Sequence, residues 1–279
     1  MCGLFGWSVD DALAKKRKKD LRMAAGLLGV FNDDRGGHSW GAYLADVDYL
    51  TKDVGKAAQM SGKTLRFISE SPVVIGHTRF ATTGDITKEN AHPFDVGEIV
   101  GAHNGMVGNH ARLNAQYKRD CEVDSQHIFH HIQDNLPLDE IEAYGAIVFH
   151  DRRTPKTALF LGRFNGGDLH AAYVPELEGT FWSSDRKHLE AALRLAGLTA
   201  DPRPLEEGVL YRSPWNGGHL EKTGAKLNFD DFWSTRSYYY KNLTDGCHSG
   251  KGAARYVSHS AYESGTGYSW RPEGGWTDD

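Results

Sequence analysis

Met1-Cys2-Gly3-Leu4-Phe5-Gly6-Trp7 is the stretch around which the chain is organised. Methionine aminopeptidases remove an initiator Met before small side chains, which would leave Cys2 as the true N-terminus. One residue then carries a thiol and a free α-amine. The thiolate is a strong nucleophile, and an unperturbed α-amine titrates at about 7.7–8.0. Such an amine can serve as general base near neutral pH without a histidine. A small buried residue at position 2 is the plainer reading of Met-Cys-Gly alone, so the rest of the chain must decide.

With 279 residues, 39% hydrophobic and 25% charged, the chain reads as a globular protein with a sizeable core. A net charge of -5 argues against nucleic-acid binding. The three cysteines, Cys2, Cys121 and Cys247, are too few and too widely spaced for a disulfide framework, which points to a cytoplasmic setting. The apolar start lacks a basic segment before it and is interrupted by Asp10-Asp11, unlike a signal peptide. No stretch reaches the length of about 18 apolar residues that a membrane span needs.

Along the chain, Gly3–Val9 reads as a buried strand. Asp10-Asp11 open a helix that continues to about Phe31, with Lys15–Lys19 as its solvated face. Asn32–Gly37 is a turn before a hairpin of Ser39–Ala45 and Leu50–Lys56. Val73–Ile75 and Ile99–His103 read as strands, the second ending in Asn104-Gly105, a dipeptide that in isolation most often marks a tight turn. Helices are expected at Asn109–Lys118, Asp124–Gln133 and Arg186–Ala196. Further strands are expected at Tyr144–His150, Thr157–Leu161, Leu169–Val174 and Val209–Tyr211, and Thr180–Asp185 reads as strand into turn. This mixture describes an α+β layered domain. After about residue 225 the composition changes: residues 230–279 hold ten aromatics, seven Gly and seven Ser and few aliphatics. Asp230–Tyr240 reads as a docked helix or extended segment, and a mobile tail is expected from Thr244.

Cys2-Gly3, His77-Thr78-Arg79, Asn90-Ala91-His92-Pro93, His103-Asn104-Gly105 and Asp124 occur in that order. Together they resemble class II glutamine amidotransferase domains, which are N-terminal nucleophile hydrolases. The likeness is to the glutaminase domains of glucosamine-6-phosphate synthase and amidophosphoribosyltransferase. Arg35-Gly36 with Ser39 and Gly41, Val54-Gly55-Lys56 and Ser183-Ser184-Asp185 extend it over about residues 2–212. The resemblance implies a four-layer αββα sandwich over 2–225, followed by an aromatic, Gly/Ser-rich, partly disordered extension over 226–279.

It also implies a chemistry that the residues suit. Cys2 would attack the side-chain amide of glutamine, with Asn104 and Gly105 as oxyanion donors. Arg79 suits the substrate carboxylate and Asp124 its ammonium, with Thr82 a further substrate-binding candidate. An ordinary Arg79–Asp124 ion pair is the plainer alternative. His77, His92 and His103 read as scaffold. His127 and His131 have metal-compatible i,i+4 spacing, with His130 between them, but no evident third ligand, so neither metal nor cofactor is expected. Phe80 stands where the family often has tryptophan or tyrosine, and Thr83 where the synthase has histidine. About 70 residues follow the domain, without a phosphate-loop or ATP-pyrophosphatase motif. The expected activity is therefore a stand-alone glutaminase-type amidotransferase, its ammonia passed to a separate synthase chain or released. The competing readings are hydrolysis of another γ-glutamyl or acyl amide on this fold, and a non-catalytic binding or regulatory protein acting through its tail.

Overall fold

The opening segment forms a strand because its residues alternate between two apolar environments. In the computed structural model, Phe5, Trp7 and Val9 pack with residues of the neighbouring helices, while Leu4 packs with residues of a second sheet. The structure describes residues 2–154 and 159–232, and the backbone of 268–271 and 275–278.

In chain order the elements are β1 (Gly3–Ser8), α1 (Asp11–Lys16), α2 (Lys18–Asn32), β2 (Ser39–Leu44), β3 (Tyr49–Val54), α3 (Gly62–Ile68), β4 (Val73–Arg79), β5 (Phe94–Val96) and β6 (Ile99–Val107). Then come α4 (His110–Tyr117), α5 (Gln126–Asp134), β7 (Glu142–Asp151), β8 (Leu159–Phe164), β9 (His170–Val174), β10 (Gly179–Ser183) and α6 (Arg186–Leu195). Short strands β11 (Arg203–Pro204), β12 (Val209–Ser213), β13 (Glu221–Lys226) and β14 (Asp230–Asp231) follow.

The first sheet runs β11-β9-β10-β1-β4-β2-β3, and the second β13-β12-β8-β7-β6-β5 with β14 parallel to the start of β7. β1 is thus central, antiparallel to β4 and β10. Three apolar clusters match the three interfaces of a four-layer sandwich. Trp7, Leu21, Leu28 and Leu189 lie between α2, α6 and the first sheet. Leu4, Ile75, Val100 and Val148 lie between the sheets. Leu113, Ile128, Phe129 and Ile147 lie between the second sheet and α4–α5. Each such side chain contributes about 1.5–3 kcal/mol by leaving water. The α+β, αββα expectation is the architecture observed.

Local differences have physical reasons. The helix expected from Asp10 to Phe31 is two helices, broken at Arg17 (φ -106°, ψ 30°). Nothing from Lys15 to Asp20 is buried, so no packing holds the five-residue basic run in one helix. The seven-residue α3, capped by Ser61 on Thr64 N, was not expected; it is too short to show a period. β4 runs past Ile75 to Arg79, and β6 past His103 to Val107. Asn104-Gly105 is therefore mid-strand, paired with Ala146 and Gly145, and is not a turn.

Leu227, Phe229 and Phe232 are buried, the first two in the outer cluster of the second sheet, so the first unit continues past residue 225. The expected segment Asp230–Tyr240 begins as β14; its remainder, Cys247 and most of the expected mobile tail lie outside the described residues. Within that tail, β15 (Tyr268–Arg271) and β16 (Gly275–Asp278) form an antiparallel pair, which the expectation of a wholly mobile tail did not include.

Candidate active site

Three strands bring the site together. Cys2 precedes β1, Arg79 ends the adjacent β4, and Gly105 lies on β6 of the facing sheet. Because side chains alternate along a strand, the face of β4 that carries Val73 and Ile75 into the inter-sheet core also carries His77 and Arg79. Cys2, Arg79, Thr82, Gly105 and Asp124 line one small pocket, completed by Phe80, Thr83, His92, His103, Val123 and Ser125. Asn104, next to Gly105 on β6, is not among the residues that line it. A larger apolar groove of about 410 Å³, between α2 and α3, holds no nucleophile or acid.

Cys2 is tied at both ends. Arg35 Nε donates to its carbonyl at 3.0 Å, and Arg35 lies 3.7 Å from the Asp185 carboxylate. Phe80 N–H donates to Cys2 Sγ at 3.3 Å. Burial pushes the thiol above its ordinary value, while the Phe80 N–H and the Arg79 charge oppose that shift. A thiol held protonated at rest needs a base when substrate arrives.

Arg79 is 2% exposed. Its guanidinium donates to the carbonyls of Thr83 (2.5 Å), Gly84 (3.2 Å) and Asp85 (2.8 Å). Three of five donors are thereby used, which leaves two for a ligand. Asp124 is buried, and Val107 N–H donates to its Oδ2 at 2.8 Å. Burial raises its pKa, opposed first by that N–H. Among the described residues neither Arg79 nor Asp124 forms a side-chain ion pair, so the ordinary salt bridge weighed from sequence is not what the structure contains.

Asn104 Nδ2 donates to Ser184 Oγ at 2.9 Å, and Ser184 Oγ accepts from Leu4 N at 3.0 Å. One hydrogen of the Asn104 amide remains. Ser184 was legible only as part of a turn; its contact with Asn104 spans 80 residues and has no local signal. A Cβ on Gly105 would lie 1.9 Å from the Tyr144 carbonyl, so strand pairing itself requires glycine there.

Three neighbouring buried histidines, His92 and His103 of the pocket lining and His77 behind them, form a scaffold. His77 and His92 stack at 4.1 Å, His77 Nε2 meets the His103 carbonyl at 3.1 Å, and His103 N–H donates to His92 Nδ1 at 3.2 Å. Burial holds His77 down to about 3 and His103 to about 4, and His92 well below its usual value. Elsewhere, His127 is fully buried against His110, ring centroids 5.2 Å apart. No group of three metal-ligating side chains occurs among the described residues.

Comparison with known proteins fits this arrangement. Residues 33–150 match the family model of class-II glutamine amidotransferases. The chain is similar to glutamine–fructose-6-phosphate aminotransferase (isomerizing) of Methanococcus maripaludis, 34% identical over 132 residues, covering 46% of this chain and 20% of that protein. The same enzyme of Idiomarina loihiensis is 29% identical over 188 residues, 65% of this chain and 26% of that one. In fold the chain is similar to the allosteric regulatory enzyme of purine biosynthesis (TM-score 0.55, 19% identity, 81% of this chain and 50% of that one). It is likewise similar to B. subtilis glutamine phosphoribosylpyrophosphate amidotransferase (TM-score 0.55, 18% identity, 79% and 49%). The chain spans only 20–26% of these curated relatives and about half of these solved chains. Residues 33–150 are thus similar to a class II glutamine amidotransferase domain, and the sandwich around them has the fold of these two solved enzymes.

Proposed function

We propose that this pocket hydrolyses the side-chain amide of glutamine. The observation that carries the reading is a thiol, a buried arginine and a buried aspartate on one small pocket. A free α-amino acid supplies the complement of both charges: its carboxylate to the remaining donors of Arg79, its ammonium to Asp124. Thr82 lies on the same wall and is proposed to hold the substrate's amino-acid end.

With Met1 removed, the Cys2 α-amine takes the thiol proton as Sγ bonds to the amide carbon. The carbonyl oxygen of the tetrahedral intermediate accepts hydrogen bonds from Asn104 Nδ2 and Gly105 N–H; one such donor is worth about 3–4 kcal/mol in the transition state. The C–N bond breaks as the amine returns the proton to nitrogen, and ammonia leaves. Water then attacks the γ-glutamyl thioester, glutamate departs, and the thiol is restored. The finer proposal is that ammonia reaches an acceptor on a separate chain or is released.

Release of glutamate and ammonia from glutamine tests the reading. The wild type is expected to yield both in equal amounts and Cys2→Ala neither; undiminished turnover by Cys2→Ala would overturn it.

A further inference from the structure

We propose that Lys52 is a positioning residue for glutamine binding, the strut that holds the segment Thr82–His92 against the pocket. This rests on the reading of the pocket as a glutamine site. The segment supplies Thr82, Thr83 and His92 to the pocket wall, yet contains neither helix nor strand. Side chains from three directions tie it down. Arg79 takes the carbonyls of residues 83–85. Glu122 Oε1 accepts from Asp85 N at 3.1 Å, and Asn90 Nδ2 closes the loop on the Asp85 carbonyl at 3.1 Å.

The third direction is β3, an edge strand of the first sheet. Lys52 Nζ reaches from it to the carbonyls of Ala91 (2.7 Å) and Glu89 (3.1 Å), 5.3 Å from the centre of the Phe94 ring. Gly41 on the neighbouring strand makes room: a Cβ there would sit 2.1 Å from the His92 carbonyl and 3.2 Å from Lys52 Cγ. The two cations thus divide the segment, Arg79 gripping its start and Lys52 its end. An ammonium bound to two carbonyls and a ring face is charge-assisted and directional.

The strut is pH-dependent. Burial lowers the Lys52 pKa to about 8, against the opposing charges of Glu89 and Asp95 and with the help of Arg79. His92, also near it, is held neutral by burial. As pH rises through about 8 the ammonium loses its charge and the grip on Glu89 and Ala91 weakens.

The test compares Lys52→Met and Lys52→Arg with the wild-type chain. In Lys52→Met, KM for glutamine is expected to rise about tenfold with kcat changed less than about threefold, the loss expected of charged hydrogen bonds to a binding element. Amides of residues 82–92 should exchange faster with solvent. Lys52→Arg should recover KM, and should lack the wild type's rise in KM above about pH 8, because guanidinium stays charged. An unchanged KM in Lys52→Met, or identical pH profiles for wild type and Lys52→Arg, overturns the strut while leaving glutamine hydrolysis intact. A wild type that does not hydrolyse glutamine overturns the functional reading instead; the strut is then decided by amide exchange alone, with unchanged exchange in Lys52→Met refuting it.

Discussion

In the proposed reaction Arg79 and Asn104 divide binding from catalysis, and kinetics can separate them. In that proposal Arg79 holds the substrate end remote from bond breaking, so Arg79→Ala should raise KM by the loss of about 1.5–3 kcal/mol, with a smaller fall in kcat. Asn104→Ala should lower kcat by about 10²–10³ at nearly constant KM, since oxyanion charge develops only in the transition state. Ser184 is not among the pocket-lining residues but accepts from the Asn104 amide; Ser184→Ala should lower kcat about tenfold with little change in KM. If Arg79→Ala lost only turnover and Asn104→Ala only affinity, the substrate would lie reversed. Cys2, Arg79, Gly105 and Asp124 could be singled out from their order along the chain, and they line one pocket. Ser184 and Lys52 were not assigned roles, because their partners are 80 and 37–39 residues away and nothing local marks them.

At the scale of elements, apolar periodicity located most strands and misjudged where the functional ones end. β4 reads as apolar only through Ile75, yet it continues as His77-Thr78-Arg79, fully paired with β1 and β2 through Thr78. The polar residues there are buried strand residues, and Arg79 is the strand's contribution to the pocket. On β6, His103 and Gly105 line the same pocket. Gly41 on β2 shows how closely these strands approach the segment above them. Gly41→Ala places a methyl 2.1 Å from the His92 carbonyl. It should cost about 1–3 kcal/mol in urea unfolding, typical of overpacking, and raise KM by displacing His92. Unchanged stability and KM would show that the segment yields freely.

At the scale of the whole molecule, the sandwich buries neutral imidazoles between and behind its sheets. The folded-state pKa values of His77 and His103, about 3 and about 4, lie below the unfolded value. Their stabilisation is therefore complete above about pH 6.5 and is lost as pH falls, each by about 1.4 kcal/mol per pH unit until its folded value is reached. Against a total of about 5–15 kcal/mol, two such groups are substantial. The urea midpoint should fall steeply from about pH 6.5 to about pH 4; a flat profile across that window would mean that these rings are hydrated or already charged. The layered class could be read from the chain because strand and helix periods differ. The order of strands could not, since β1 meets its partners across 64 or more residues.

The account turns on an N-terminal cysteine that becomes acylated, and mass spectrometry of untagged protein quenched during glutamine turnover tests it most directly. The account predicts a γ-glutamyl thioester on a terminal peptide that begins at Cys2 and lacks Met1, absent when glutamine is omitted. Full turnover by chains that retain Met1, or an adduct on any residue other than Cys2, would contradict it.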